Sequence, residues 1–149
     1  RGVPVNPFQM IGRTTKRGTK VTFLPDEEIF ETIEFNFEIL SQRLRELAFL
    51  NPGLKIIIED LRADKEQEFH YEGGIVNFVE HLNRNKNVLH PTPIFLTDTN
   101  GDAVQVEIAL QYNDSYNETL FSFANTINTV EGGTHLAGFK AALTRSLNS

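Results

Sequence analysis

An α+β fold is predicted by three features of this 149-residue sequence. Apolar residues recur at helical spacing between residues 36 and 50, they alternate at strand spacing between Val104 and Tyr112, and Gly, Pro and Asn breaks divide the chain into short elements of both kinds. The run Gly2 to Ile11 alternates loosely and is interrupted by Pro4 and Pro7, which suits an edge strand. Thr14 to Gly18 reads as a polar turn and Lys20 to Leu24 as a short strand, so the two runs are expected to pair as a hairpin that Pro25-Asp26 ends. Phe37, Leu40, Leu44 and Leu47 then lie on one helical stripe with Gln42, Arg43, Arg45 and Glu46 between them, predicting an amphipathic helix from about Asn36 to Leu50. Asn36 is its expected N-cap and Asn51-Pro52-Gly53 its stop. Lys55 to Asp60 reads as a strand, Arg62 to Glu66 as a polar turn, and Glu68 to Tyr71 as the antiparallel partner. After Gly73-Gly74, the residues Ile75, Phe78, Val79 and Leu82 mark a short helix. Ile94 to Leu96 leads into Asn100-Gly101, a dipeptide suited to a type I′ turn because both central residues need positive φ. Val104 to Tyr112 is the clearest half-buried strand, Leu120 to Ala124 a third strand, and a final helix starts near Thr134.

Composition bounds the function. With 40% hydrophobic residues and 12 Phe, the chain has the material for a core, and an ordered chain is expected. No apolar run approaches the roughly 20 residues of a membrane span, and no leader pattern is visible, so a soluble chain without membrane contact and without a visible address is expected. The absence of Cys excludes disulfides and thiolate metal sites and is compatible with a reducing compartment. A net charge of −6 argues against a dedicated DNA-binding module, because nonspecific affinity comes from basic groups that neutralise phosphates. His70, His81, His90 and His135 fit no zinc spacing, and neither a Walker-type phosphate loop nor a nucleophile elbow occurs. Glu27, Glu28, Glu31, Asp64 and Glu66 read as solvated surface. In Glu131-Gly-Gly-Thr134 the glycines shape a turn, Thr134 is the expected helix cap, and the Glu131 charge would repel phosphate. His135 is expected to hydrogen-bond locally.

Three ordered stretches carry a resemblance. Glu131-Gly-Gly-Thr-His-Leu-Ala-Gly-Phe-Lys-Ala-Ala-Leu-Thr-Arg-Ser-Leu-Asn148, Arg17-Gly-Thr-Lys-Val-Thr-Phe-Leu-Pro-Asp26 and Phe69-His-Tyr-Glu-Gly-Gly74 together span essentially the whole chain. They resemble the B subunits of bacterial type IIA DNA topoisomerases, gyrase and topoisomerase IV alike, and Asn83-Arg-Asn-Lys86 tilts the likeness slightly towards gyrase. The resemblance implies that residues 1–74 are the C-terminal part of a nucleotide-binding domain of the sandwich type shared by gyrase, heat-shock-protein-90, histidine-kinase and mismatch-repair ATPases. Residues 75–149 would be the first half of an α/β transducer domain.

The parent enzyme so implied is an isomerase that couples ATP hydrolysis, with magnesium, to passage of one DNA duplex through another. Its partners would be DNA, the topoisomerase A subunit and a second B subunit in a heterotetramer. By the same resemblance Thr19 lies on the floor of the adenine pocket, where its hydroxyl can share a water with a base-reading carboxylate, and Val21 supplies apolar wall. The family's glutamate base, magnesium-holding asparagine, adenine-reading aspartate and glycine-rich lid would precede this stretch, and its catalytic lysine would follow, so the isolated chain is expected to be inactive. On the last helix, Leu136, Phe139, Leu143 and Leu147 form an apolar stripe, with Lys140 at its edge and Arg145 roughly opposite. The resemblance puts Lys140 on the wall of the DNA cavity; a lysine snorkelling from the rim of a buried stripe is the competing reading. The glycines of Tyr71-Glu-Gly-Gly74 either permit domain rotation or shape a tight turn. A noncatalytic scaffold or partner-binding module is the alternative from another class.

Overall fold

Helix α1, Phe37–Phe49, starts where the sequence places its cap: the Asn36 side chain accepts a hydrogen bond from the Ile39 N–H at 3.0 Å. At its other end the Asn51 amide donates to the Leu47 carbonyl at 2.7 Å, and Gly53, at φ 79°, reverses the chain. The computed structural model describes residues 3–15, 21–100 and 104–149. Strand β1, Lys55–Asp60, then pairs antiparallel with β2, Lys65–His70, in the register Lys55↔His70 to Asp60↔Lys65. Strand β1 has the expected bounds, whereas β2 begins at Lys65, inside the stretch read as a turn, and ends before Tyr71; a Lys55–Glu68 ion pair at 2.6 Å crosses the ribbon.

Phe49 and Phe69, each 1% exposed, and fully buried Ala48 form the core between α1 and this ribbon. The buried face of α1 is not the predicted stripe. Ser41, Ala48 and Phe49 are buried, Phe37, Leu44 and Leu47 are half-buried, and Leu40 is exposed. The helix is gripped from two sides, by the ribbon and by helix α2, Gly74–Leu82, and this rotates the contact face away from the leucine line. Phe78 of α2 stacks on Phe49 with ring centroids 5.1 Å apart.

Strands β3, Ile94–Asn100, and β4, Val104–Leu110, form a second antiparallel pair, Ile94↔Leu110 to Asn100↔Val104, and α2 packs on β4. The type I′ turn expected at Asn100-Gly101 lies outside the described residues. The alternation of β4 is not matched by alternate burial: Val104 and Val106 are 60% and 48% exposed, because no second layer covers the outer half of the ribbon among the described residues.

The third strand expected over Leu120 to Ala124 does not join that pair. Instead β5, Phe123–Ala124, and β6, Ile127–Asn128, make a minimal hairpin of their own, turned through Asn125 at φ 55°. Ser122 and Thr129 hold its base: the Thr129 N–H donates to the Ser122 carbonyl at 2.8 Å, and the two hydroxyls lie 2.6 Å apart. A local backbone reversal satisfied by side-chain hydroxyls has thus displaced sheet pairing.

Helix α3, Thr134–Leu147, follows. Thr134 is its first residue, not its cap; Gly133 occupies the cap without a side-chain bond. Glycine is needed there because a Cβ would stand 2.7 Å from the His135 ring, which is held by Thr129 at 3.1 Å in the expected local bond.

Residues 36–149 make one compact unit and residues up to 35 another. The hairpin expected from Gly2 to Ile11 and Lys20 to Leu24 is absent among the described residues of the first unit, which contain neither helix nor strand. An isolated two-stranded hairpin is marginal at best, and Pro4 and Pro7 remove two of its donors. That unit keeps an edge-to-face contact of Phe23 with Phe35, centroids 5.9 Å apart, and a turn in which the Asp26 carboxylate accepts the Glu28 N–H. Among the described residues no helix is long and apolar enough to cross a membrane.

Candidate functional site

The three residues singled out by the sequence do not assemble into one described site. Thr19 lies outside the described residues. Val21 belongs to the first unit, in irregular chain, with 76% of its surface exposed. Lys140 belongs to the second. Among the described residues no group of three or more His, Cys, Asp or Glu is placed to hold a metal ion. The described residues therefore supply no carboxylate or imidazole cluster for a magnesium ion, and hydrolysis is assigned to none of them.

Lys140 projects from the middle of α3, and its ammonium meets the Glu118 carboxylate at 3.1 Å with both side chains more than half exposed. An exposed pair of this kind is worth about 0–1 kcal/mol, so a phosphate can compete for the lysine at little cost. The apolar stripe behind it is only partly covered. Leu136, Phe139 and Leu143 are half-buried, whereas Leu147 is exposed. Arg145 stands in the last turn of α3, where its charge complements the helix dipole.

The junction from Tyr71 to Gly74 is built more tightly than its two glycines suggest. The Tyr71 ring stacks on Phe49 with centroids 3.8 Å apart, and the Tyr71 carbonyl accepts the Gly53 N–H at 3.1 Å. The Gly73 N–H donates to the Asn77 side chain at 2.9 Å, a reversed cap that holds the start of α2. Gly74 sits at φ 56°, and a Cβ on it would stand 2.8 Å from Pro52 Cγ. Glycine at 74 thus serves close packing of α2 on the end of α1. His81, further along α2, is pushed below its ordinary pKa by burial, with the nearby charges of Arg45 and Arg84 adding to the effect.

Beyond α2, side-chain amides make a connection that the sequence does not announce. Asn83, 8% exposed, donates to the Gln111 side-chain oxygen at 2.9 Å and accepts from the Asn113 amide at 2.8 Å. Gln111 in turn donates to the His90 carbonyl at 2.9 Å. His90 Nε2 accepts the Tyr112 N–H at 3.0 Å, which leaves Nδ1 to donate to the Thr92 carbonyl at 2.8 Å. With Asn83 buried at its centre and the other side chains half-buried, this network ties the end of α2 to the end of β4, since Asn83 would be costly to leave unpaired. No local pattern identifies it: Asn and Gln at these positions read as loop residues until the fold brings them together.

Comparison with known proteins places these observations in a family. The family model described as DNA gyrase B matches residues 74–149. The DNA gyrase B subunit of Clostridium acetobutylicum is 58% identical over 148 residues, which cover 99% of this chain and 23% of that protein. The chain thus spans less than a quarter of that relative's length. The crystal structure of the B-subunit of the DNA gyrase from Myxococcus xanthus superposes with a TM-score of 0.76 at 38% identity, over 81% of this chain and 39% of the other. The 43K ATPase domain of Thermus thermophilus gyrase B, solved in complex with an aminocoumarin, gives 0.71 at 38% identity, over 83% and 34%. The α+β fold is therefore that of gyrase B structures.

Proposed function

The chain belongs to the DNA gyrase B family, and on that premise we propose that it joins the end of a nucleotide-binding domain, residues 1–74, to the beginning of a transducer domain, residues 75–149. In the parent B subunit, acting in the cytoplasm with ATP and magnesium, nucleotide turnover and dimer closure drive one DNA duplex through another. The A subunit and a second B subunit complete the heterotetramer. The part of this segment is mechanical: it passes the nucleotide-dependent position of the first domain to the DNA-cleaving core. Thr19 and Val21 contribute one wall of the adenine pocket, and Lys140 meets the phosphates of the passing duplex.

One observation carries the relay reading. A chain of aromatic contacts crosses the proposed boundary, stacked from Tyr71 through Phe49 to Phe78 and tilted by 53° at Phe121, at centroid spacings of 3.8, 5.1 and 5.2 Å. Beside it, Arg43 of α1 donates to the Thr126 carbonyl of the β5–β6 turn at 3.1 Å. Close-packed contacts of this kind shift between discrete arrangements and resist gradual deformation, so movement of α1 is transmitted and not absorbed.

The test is to exchange this segment into the Clostridium acetobutylicum protein and assay plasmid supercoiling. The chimera is expected to supercoil in an ATP-dependent manner. Arg43→Gln, which removes the bond to Thr126, is expected to keep ATP hydrolysis while supercoiling per ATP falls several-fold. A folded, dimeric chimera that neither hydrolyses ATP nor supercoils would count against the assignment, and an Arg43→Gln variant with unchanged coupling would count against the relay.

A further inference from the structure

We propose that His90 is a proton-operated latch that holds the connection between α2 and β3 against the end of β4, a device independent of the relay. The connection and the residues after β4 run antiparallel: Val88 bridges Asn113, the Leu89 N–H donates to the Tyr112 carbonyl at 2.9 Å, and the Asp114 N–H donates to the Asn87 carbonyl at 3.0 Å. Hydrogen-bonded pairs of such a ladder exchange two bonds, so a regular ladder would send the Tyr112 N–H to the Leu89 carbonyl. It goes instead to His90 Nε2 at 3.0 Å. The imidazole thus stands in for a backbone acceptor at the point where the ladder ends.

That substitution ties the contact to one protonation state. A backbone N–H only donates, so Nε2 must present its lone pair, and the neutral ring keeps its hydrogen on Nδ1, which meets the Thr92 carbonyl at 2.8 Å. Proton uptake can then occur only at Nε2, where it sets two N–H donors face to face. The bond from Nδ1 survives this change, and the bond from Tyr112 does not. The remaining rungs, from Leu89 to the Tyr112 carbonyl and from the Gln111 amide to the His90 carbonyl, are left to hold the connection alone.

The charges around the ring do not compensate for that loss. The His90 ring faces the edge of the Tyr112 ring, centroids 6.0 Å apart, and among the described residues no carboxylate forms an ion pair with it. Asp114 accepts the Asn87 amide at 2.8 Å, and Lys86 donates to the Thr119 hydroxyl at 3.2 Å. Arg84, just after α2, adds a positive charge that bears on His81, and the acids Asp98 and Glu107 lie further along the β3–β4 ribbon. The latch is therefore closed while the ring is neutral and opens as falling pH protonates it, a change that histidines ordinarily make between about pH 5 and 8.

The test is NMR of the 149-residue chain across that range. At the alkaline end, the long-range proton–nitrogen spectrum of the His90 ring is expected to show its hydrogen on Nδ1. As the ring takes up a proton, the exchange protection of the Tyr112 and Leu89 amides, taken relative to the unstructured rate at each pH, is expected to fall about fivefold, the size of one net hydrogen bond. His90→Gln, whose side-chain oxygen can take the place of Nε2 and does not titrate, is expected to keep that protection level throughout, and His90→Ala to show the low value at every pH. His81, whose ring lies 5.5 Å from that of Phe49, is followed in the same spectra so that its own titration is told apart. A neutral His90 ring with its hydrogen on Nε2, or amides without protection at the alkaline end, overturns the proposal. So does a ring that stays neutral to the acid end, protection that stays level while the ring is protonated, or protection that falls equally in His90→Gln.

Discussion

Asp60 ends β1 and is bound by Arg62 in three ways: Nε to Oδ1 at 2.9 Å, Nη2 to Oδ2 at 2.7 Å, and the backbone N–H to Oδ1 at 3.0 Å. The Arg62 side-chain bonds are the main reason that the carboxyl is held at about 2, below its ordinary 3.8, with the backbone bond next. A depressed folded-state pKa gives stability that is present above the unfolded value and lost as pH falls, here between about 4 and about 2. Arg62→Gln is expected to move the Asp60 carboxyl titration up towards its ordinary value, read by carbon-13 NMR; an unchanged midpoint would mean that Arg62 does not hold the charge. Nothing in Asp60-Leu-Arg62 as a string forecasts this clasp, because it depends on the turn geometry. Lys140 is legible in the sequence as a candidate, but its partner Glu118, on a different segment of the chain, is not. In a full protein carrying this segment, Lys140→Glu should reduce the slope of log affinity for DNA against log salt by about 1. Glu118→Gln should leave that slope intact. Equal slopes for Lys140→Glu and the parent would remove the residue from the DNA wall.

At the scale of elements, the two adjacent glycines at the start of α2 have different jobs, and the difference is measurable. Gly74 combines φ 56° with a Cβ position 2.8 Å from Pro52, whereas a Cβ on Gly73 would meet only the movable end of Asn77. Gly74→Ala is expected to cost about 1–2 kcal/mol for the left-handed backbone alone, and more once Pro52 has to yield. Gly73→Ala should cost less, about 1 kcal/mol for a weakened hydrogen bond. Urea midpoints at constant m-value give the comparison; equal costs would mean that Pro52 does not constrain the junction. Helix α1 and the β1–β2 pair are legible because cap, stop and period-two pattern agree locally. The β5–β6 hairpin is not, since Leu120 to Ala124 has strand-like apolar content and only the Ser122–Thr129 hydroxyl pair redirects it. The leucine stripe misplaces the buried face of α1 for a related reason: a helix packed on two sides chooses its face by its neighbours, not by its leucines.

At the scale of the whole molecule, the second unit has a small core, Ala48, Phe49, Phe69 and Phe78, with a ribbon of β3 and β4 whose outer face is largely uncovered. The 149-residue chain by itself is expected to show no ATP turnover in a phosphate-release assay with magnesium. Turnover that Thr19→Val abolished would overturn both this expectation and the assignment of hydrolysis to other parts of the parent protein.

The sequence by itself determined the family, the order of most helices and strands from residue 36 onward, and the capped ends of α1, because each is written in contiguous residues whose local preferences agree. Only the tertiary structure decided which face of α1 is buried, that Gly74 is bound by Pro52, and that Asn83 closes an amide network. It also left the Ser41 hydroxyl without a partner beside Arg45. These features depend on distances between residues far apart in the chain, and packing sets such distances after local preferences have already been satisfied.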